Sequence, residues 1–277
     1  ATVQTMCKID LNDIKDYFDV VVVDECHHVC GTPTRVQMFY KVISALNARY
    51  KYGLTATPKR SDGLTGCMYA LLGEKIYEVS REQVKHNLCP VKVIFKYVDY
   101  LPNLGVVLAS DGTLQYSALI TDIIENKARN EQIVNDIAMA SGRSLVLTER
   151  VQHVTTLFNA LKALGLRCEC LTGKTNKHIR DGAIADLKEG RTDILIATYA
   201  LAKEGLDIPN LDNVFFTTPQ RNETTVVQSA GRVARKAEGK EVGTVYDYVD
   251  TFGVLKGWAR KRQYFYSKND FHIAYPT

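Results

Sequence analysis

Two adjacent carboxylates, Asp24 and Glu25, follow the apolar run Val20–Val23 and have the clearest chemical potential in the chain. Valine has high strand propensity, and a continuous apolar run is typical of a strand buried in a parallel sheet. Open α/β sheets bind ligands at the carboxyl ends of their strands. In nucleotide-hydrolysing enzymes one such carboxylate holds Mg²⁺, and its neighbour activates the attacking water. An acidic cap on an ordinary strand is the alternative.

Cysteine and histidine beside the carboxylates could also be taken for a zinc site. Cys26, His27, His28 and Cys30 are close in sequence, but their spacing matches none of the usual structural zinc patterns. The seven cysteines are an odd number, in a chain long enough to fold without disulfides. We therefore expect reduced thiols in a cytoplasmic protein.

Further polar groups follow other predicted strands. Thr55 and Thr57 end a predicted strand over residues 50–55, and Thr198 ends another, with Gly205 and Asp207 after it. These segments could be ordinary strand-to-turn junctions, in which hydroxyls cap backbone groups and glycine permits the turn.

Two arginines with helical spacing form the last polar group. Arg232 and Arg235 are three residues apart and are predicted to share one helical face beside Gln228. Guanidinium groups that point across a cleft can stabilise the charge on a transferring phosphate. The alternative is a solvated basic face.

Strands and helices that could position these residues alternate along most of the chain. Such alternation favours parallel sheets covered by helices on both faces. Apolar runs predict strands over residues 20–23, 50–55, 144–147, 166–171, 193–197, 214–216 and 244–249. Helical spacing predicts helices near residues 36–46, 64–72, 120–124, 151–164 and 179–187.

The predicted organisation has two domains, over residues 1–85 and 118–277. The intervening stretch, 86–117, contains a β-like segment but is rich in turn residues, so we assign it as a linker. The basic and aromatic stretch 258–266 is predicted to form a helix docked on the second domain with its arginines in water. Contact of this stretch with phosphates and bases is the alternative.

Composition is compatible with a soluble globular protein of two domains. The chain has 277 residues, of which 45% are hydrophobic and 24% charged. Its net charge of +4 is weak evidence for nucleic-acid binding. We see no apolar stretch long enough to span a membrane and no signal-peptide pattern at the first residues.

Four of these segments, in order, resemble motifs II, III, V and VI of superfamily 2 helicases. Within that superfamily they look most like the motifs of the DExH branch, which is related to DNA-repair helicases and restriction-enzyme motor subunits. They cover residues 24–27, 55–58, 204–209 and 228–235, within a resemblance that extends over residues 1–249. The resemblance implies an α/β fold of two RecA-like parallel-sheet domains, the first incomplete at its N-terminus. It also implies an ATP-dependent, Mg²⁺-requiring helicase or translocase that hydrolyses ATP between those domains and acts on nucleic acid, expected to be DNA, with low sequence specificity.

The resemblance also implies residue roles. Asp24 would hold Mg²⁺, Glu25 would be the general base for water, and His27 would couple the ATP site to the second domain. The other implied roles are coupling of hydrolysis to movement (Thr55, Thr57), nucleotide contact (Gly205, Asp207, Gln228, Arg232, Arg235) and nucleic-acid contact (Thr2, Gln4, Thr172, Gly173, Lys174, Thr198). Segment 144–148 resembles motif IV.

One departure concerns the phosphate-binding loop of the family, Gly-x-x-x-x-Gly-Lys-Ser/Thr, which should precede Asp24. Nothing before Asp24 resembles it, and residues 173–175 come too late in the order. We therefore expect a piece of a longer helicase that hydrolyses no ATP by itself. Two rivals are a non-catalytic nucleic-acid-binding module and the motor subunit of a restriction system.

Overall fold

A computed structural model describes residues 1–29, 33–55, 65–203, 208 and 211–274. The chain divides into two compact units, Ala1–Ser80 (unit 1) and Arg81–Thr277 (unit 2). Among the described residues, no helix has the length and apolar character needed to cross a membrane.

Unit 1 contains a small parallel sheet with helices packed around it. Strand β1 pairs in register with β2, so that Val20 lies opposite Tyr50. Its described strands and α-helices are β1 (Val20–Val23), β2 (Tyr50–Gly53), α1 (Val3–Met6), α2 (Pro33–Ala45) and α3 (Thr65–Leu72). Short 3₁₀ turns cover Leu11–Asp13 and Cys26–Val29.

The expectation that β1 is a buried strand is wrong for this structure. Val20 is 49% exposed and Val22 is 54% exposed. The described residues leave one face of the two-stranded sheet open to solvent, and the stacked rings of Tyr50 and Tyr52 extend the same face. The apolar run therefore predicted the strand correctly, but its prediction that both faces of the strand are buried was wrong.

Unit 2 is built on a seven-stranded sheet in which every pairing is parallel, in the order β5-β6-β4-β7-β8-β3-β9. Its strands are β3 (Val91–Val98), β4 (Ser144–Thr148), β5 (Cys168–Leu171), β6 (Ile194–Thr198), β7 (Asn213–Phe216), β8 (Gly243–Asp250) and β9 (His272–Ala274). Every residue of β4, β6 and β7 is buried, which explains why these strands are continuous in apolar character. The predicted α/β fold with a parallel sheet is confirmed.

Helices cover both faces of this sheet. Its described α-helices are α4 (Arg81–Val84), α5 (Leu104–Val107), α6 (Tyr116–Glu125), α7 (Lys127–Met139), α8 (Val151–Ala163), α9 (Lys177–Lys188), α10 (Tyr199–Lys203), α11 (Glu223–Gly231) and α12 (Gly253–Lys268). Two 3₁₀ turns cover Lys85–Asn87 and Arg232–Ala234. One apolar cluster contains residues of α9, α11 and α12, and the other contains residues of α6, α7 and α8.

The assignment of residues 86–117 as a linker is wrong. Strand β3, within this range, pairs along its whole length with β8 and at three residues with β9. Its alternate residues Val91, Val93 and Phe95 are buried in the sheet's core. The turn-rich residues after β3 belong to an excursion that leads into α6, and the division between units lies at residues 80 and 81 instead.

Two buried aspartates on β8 each bind an arginine from a helix. Asp247 accepts hydrogen bonds from Arg262 Nε at 2.8 Å and Nη2 at 2.7 Å, and Tyr266 donates to it at 2.8 Å. Asp250 accepts from Arg129 Nε at 2.6 Å and Nη2 at 3.2 Å. Because positions three apart on a strand point to opposite faces, the two pairs fix α12 and α7 on opposite sides of the sheet.

The C-terminal helix is therefore only partly as predicted. Helix α12 is formed and docks on unit 2, but Arg262, expected in water, is 2% exposed. Arg260 on the same helix is exposed, as expected. The carboxylate of Asp247 explains the difference, since a buried guanidinium requires an opposite charge.

We predict that Asp250→Asn lowers the free energy of unfolding of unit 2 by about 3–5 kcal/mol, because Arg129 would then be a buried charge without a counter-ion. Urea unfolding followed by the fluorescence of Trp258, the single tryptophan of the sequence, measures this unit. The control is Asp193→Asn, which breaks the exposed pair with Arg167 and should cost less than about 1 kcal/mol. Equal losses in both variants would contradict the prediction.

Candidate functional site

The acidic pair lies in a sharp turn directly after β1. Glu25 has a φ of 47°, in the left-handed region that non-glycine residues rarely adopt. Its backbone N–H donates to the Asp24 carboxylate at 2.8 Å. Backbone conformations of this kind cost on the order of 1–3 kcal/mol and cluster at functional sites. Both carboxylates are exposed, so the strained turn presents them to solvent.

The end of β2 holds this turn in place. Cys26 N–H donates to the Leu54 carbonyl at 2.9 Å, and Leu54 N–H donates to the Val23 carbonyl at 2.9 Å. The Cys26 thiol is buried and lies 3.4 Å from the sulfur of Met68. A Cβ at Gly53 would lie 2.8 Å from Cys26 Sγ, so only glycine fits there without a shift.

His27 connects the acidic turn to the segment after β2. Its Nδ1 lies 2.8 Å from Thr55 Oγ1 and 3.2 Å from Glu25 Oε2. The histidine is buried, whereas the Glu25 side chain is 48% exposed. The structure thus brings together Glu25, His27 and Thr55, while Thr57 lies outside the described residues.

The arrangement fits a magnesium ion bound through few protein ligands. Asp24 offers an exposed carboxylate, and within the described parts of the chain no group of three or more potential ligands is gathered. Mg²⁺ usually keeps several waters and binds one or two carboxylates together with substrate phosphates. Asp24 would hold such an ion, and Glu25, whose carboxylate lies 3.2 Å from His27 Nδ1, would accept a proton from a neighbouring water.

The arginine pair does not share a helical face, contrary to expectation. Helix α11 ends at Gly231, Arg232 begins a 3₁₀ turn, and Arg235 is extended, with ψ 130°. We call residues 232–235 the arginine turn. Gln228 lies in the last turn of α11 and is partly buried. Gly231 itself is right-handed, with φ −61° and ψ −17°, and the regular helix tightens into the 3₁₀ turn after it, which the spacing of the arginines does not predict.

The backbone of the arginine turn is held by two residues far away in sequence and by one nearby lysine. Leu88 forms an antiparallel bridge with Arg235, and Cys89 N–H donates to the Ala234 carbonyl at 2.8 Å. The Cys89 thiol donates to the Val233 carbonyl at 3.2 Å, and Lys240 Nζ donates to the Arg235 carbonyl at 3.2 Å. Burial lowers the pKa of Lys240. Sequence reasoning missed Leu88 and Cys89, because nothing local links them to a turn that lies far along the chain.

Arg232 contacts α10, the helix that precedes the segment resembling motif V. Its Nη2 donates to the Ala202 carbonyl at 2.5 Å, in α10. Gly205 and Asp207, which were expected to contact nucleotide, follow α10 but lie outside the described residues. The contact places the arginine turn beside the end of α10.

The residues expected to contact nucleic acid differ in exposure. Thr172, Gly173 and Lys174 form an exposed or half-exposed turn at the carboxyl end of β5, where Thr172 N–H donates to Thr175 Oγ1 at 2.9 Å. Thr198, at the end of β6, is 7% exposed, and its Oγ1 accepts from Leu201 N–H at 3.4 Å as a cap of α10.

In unit 1 the other two such residues, Thr2 and Gln4, lie at the exposed helix α1. Thr2 caps that helix by accepting from Thr5 N–H at 3.2 Å. Gln4 is therefore exposed to solvent, whereas the Thr2 hydroxyl already accepts a hydrogen bond.

The strand that resembles motif IV ends in a buried network. Thr148 Oγ1 lies 2.7 Å from His153 Nδ1, and His153 Nε2 lies 2.9 Å from Asn130 Oδ1. Burial, assisted by the nearby charge of Arg129, lowers the pKa of His153 to about 3. This histidine is therefore neutral near pH 7, and Thr148 is committed to the core rather than to a ligand.

Two family models match the chain over separate segments. Residues 128–237 match the helicase conserved C-terminal domain, and residues 1–60 match the res subunit of type III restriction enzymes. Together they account for more than half of the chain. The chain belongs to the superfamily 2 helicases.

Individual relatives of this helicase include viral proteins. It is 27% identical over 266 residues to the probable helicase D10 of Escherichia phage T5, covering 95% of this chain and 54% of the relative. It is 22% identical over 242 residues to the ATP-dependent DNA helicase UvsW of Enterobacteria phage T4, covering 86% and 47%. The chain thus spans about half the length of the curated relatives it matches.

A solved structure shares the fold. The structure of S. cerevisiae Dbp5 bound to RNA and ADP BeF3 has a TM-score of 0.64 and 18% identity, covering 94% of this chain and 59% of Dbp5. Such a match shows the fold alone, and it confirms the expected RecA-like architecture.

We predict that Gly243→Ala destabilises unit 2 by about 1–3 kcal/mol, because an added Cβ would lie 2.1 Å from the Val233 carbonyl oxygen in the arginine turn. Thermal unfolding compares it with Gly257→Ala in α12, where nothing lies within 4 Å of the new Cβ and the change should stabilise the helix by about 0.5–1 kcal/mol. Unchanged stability of Gly243→Ala would mean that the close approach does not constrain the turn.

Proposed function

We propose that this helicase is an ATP-dependent DNA helicase or translocase that requires Mg²⁺. Asp24 holds the metal with the nucleotide phosphates, and Glu25 accepts a proton from the water that attacks the γ-phosphorus. Arg232 and Arg235 stabilise the charge on the transferring phosphoryl group. Mg²⁺ supplies charge neutralisation on the phosphate oxygens when bound.

The single observation that carries the proposal is the contact of His27 with both Glu25 and Thr55. A hydrogen-bonded histidine between the water-activating carboxylate and the next motif can transmit a change at one to the other. The exposed acidic turn and the strained backbone at Glu25 support a catalytic rather than a structural role for this turn.

DNA is the proposed partner, bound mainly through its backbone and with little sequence preference. The exposed turn at Thr172–Lys174 offers the Gly173 backbone amide, a hydroxyl and an ammonium group at a strand end. UvsW is named as a DNA helicase, whereas the Dbp5 structure contains RNA. A test of the substrate therefore needs both kinds of strand.

Two further readings make different predictions. A non-catalytic nucleic-acid-binding module would bind strands without hydrolysing ATP, and a restriction motor subunit would translocate in company with a nuclease. We favour the helicase because one sequence contains both the carboxylates and the arginines that hydrolysis needs. A cytoplasmic location is also proposed, supported by the absence of disulfides among the described cysteines.

The test is ATP hydrolysis by the full-length protein with single-stranded DNA or RNA. Glu25→Gln should abolish turnover, and Arg235→Lys should reduce it by roughly 10³-fold or more while nucleotide affinity changes little. Lysine keeps the charge but loses the planar fork. Arg167→Lys, which alters an exposed arginine paired with Asp193, is the control and should hydrolyse ATP normally.

Turnover that survives Glu25→Gln would overturn the catalytic assignment. Strand binding without any hydrolysis would favour the non-catalytic module. If Arg235→Lys loses activity only because its thermal midpoint falls, the arginine turn is structural.

A further inference from the structure

An exposed arginine is stacked on two aromatic rings at the carboxyl ends of the central strands of unit 2. We call this group, Tyr116, Glu149, Arg150, Arg221 and Trp258, the Arg221 cluster. Arg150 follows the end of β4, Arg221 follows the end of β7, and Trp258 lies in α12 shortly after the end of β8. The cluster therefore lies at the carboxyl ends of neighbouring strands, where parallel sheets bind ligands.

The stacking geometry is close on both rings. Arg221 Cζ lies 4.3 Å from the centre of the Tyr116 ring and 4.9 Å from that of Trp258. The two rings are 5.6 Å apart and tilted by 58°. Aromatic faces attract a guanidinium within about 6 Å, so the rings fix the position of Arg221 without neutralising its charge.

The cluster carries an excess of positive charge. Among the described residues no carboxylate pairs with Arg221, and none pairs with Arg150, which donates to Ser117 Oγ at 2.9 Å. Arg150 Nε is buried and has no hydrogen-bond partner there. Glu149 is the only carboxylate of the cluster, and it accepts a hydrogen bond from the Tyr116 hydroxyl at 2.5 Å.

Other arginines of unit 2 show what a purely structural role looks like. Arg129 and Arg262 each bind a buried aspartate, and the exposed Arg167 and Arg191 each pair with a neighbouring carboxylate. Arg221 is exposed and fixed, yet it keeps its full charge. That combination suits recognition of a phosphate that has a base beside it. A guanidinium binds phosphate through its planar fork and stacks on bases through its face.

We propose that the Arg221 cluster is a contact for single-stranded nucleic acid, in which Arg221 binds a phosphate and the cluster stacks with a base. The proposal rests on the proposed function. It extends the proposed path of the nucleic-acid strand from the Thr172–Lys174 turn to the other side of β4. The order β5-β6-β4-β7 separates the two places by three strand spacings, roughly 14 Å. A strand of about 12 nucleotides, within known single-strand site sizes, can reach both.

The test uses this chain and the fluorescence of Trp258, the single tryptophan of the sequence. Oligothymidylate and oligouridylate of about 12 nucleotides are titrated, because the same chemistry would recognise DNA or RNA. Stacking at the cluster should quench the fluorescence, and labelled-oligonucleotide anisotropy measures affinity independently. Oligodeoxyuridylate, which has the base of the second oligonucleotide and the sugar of the first, separates the effect of the sugar from that of the thymine methyl group.

Arg221→Gln should weaken binding by about tenfold and reduce the salt dependence by about one counter-ion. Arg167→Gln removes the same charge at the amino end of β5 and should leave affinity unchanged. Arg221→Lys keeps the charge but not the planar fork, so its affinity should be intermediate. Thermal midpoints should match wild type, because Arg221 is exposed.

Four results would overturn the inference. The first is that Arg221→Gln binds as tightly as Arg167→Gln, and the second is that anisotropy shows binding while Trp258 fluorescence stays constant. In either case the stacking only fixes the loop after β7, and the proposed helicase function stands. If polyglutamate displaces the oligonucleotide at equal charge, the cluster is a general anion site. Absence of any binding by wild type would remove both this contact and the proposed strand path, whatever the ATPase result.

Discussion

The buried pairing of Asp247 and Asp250 with arginines is the interaction on which the geometry of unit 2 depends. Burying four charges is expensive, and the cost is offset only because each carboxylate binds its guanidinium through two nitrogens and the geometry is close. Both aspartates lie near the carboxyl end of β8, so they fix α12 and α7 exactly where the strand ends meet solvent. Trp258 lies one helical turn before Arg262, and the buried pair therefore also positions the Arg221 cluster.

Unit 1 positions its chemistry by a different constraint. The acidic turn is held by two backbone hydrogen bonds to the end of β2 and by the close approach of Cys26 to Gly53. These contacts maintain an unfavourable φ at Glu25 and place His27 between Glu25 and Thr55. In both units the backbone of the proposed site residues is thus held by contacts from a neighbouring strand or a distant segment: the acidic turn by β2, and the arginine turn by Leu88 and Cys89.

Much of the fold could be predicted from local patterns, because β4, β6 and β7 are buried on both faces and so are continuous in apolar residues. The place of strand β3 in the sheet could not be predicted from local patterns, because its pairing with β8 joins residues about 150 positions apart and leaves no local signal. The same limit applies to Arg262, whose burial depends on Asp247, and to the contact of Cys89 with the arginine turn. The motif residues themselves could be identified, but the early end of α11 at Gly231 and the capping role of Thr198 required the structure.

The central proposal is that the contact of His27 with Glu25 and Thr55 couples ATP hydrolysis to the binding of a nucleic-acid strand. The most direct measurement is the ratio of ATP hydrolysis by the full-length protein with and without single-stranded nucleic acid, for wild type and Thr55→Val. The account predicts that Thr55→Val keeps basal hydrolysis but loses most of the stimulation, because valine preserves the shape and removes the hydroxyl that contacts His27. Thr155→Val, at an exposed position on α8, should be stimulated like wild type. Normal stimulation of Thr55→Val would contradict the account.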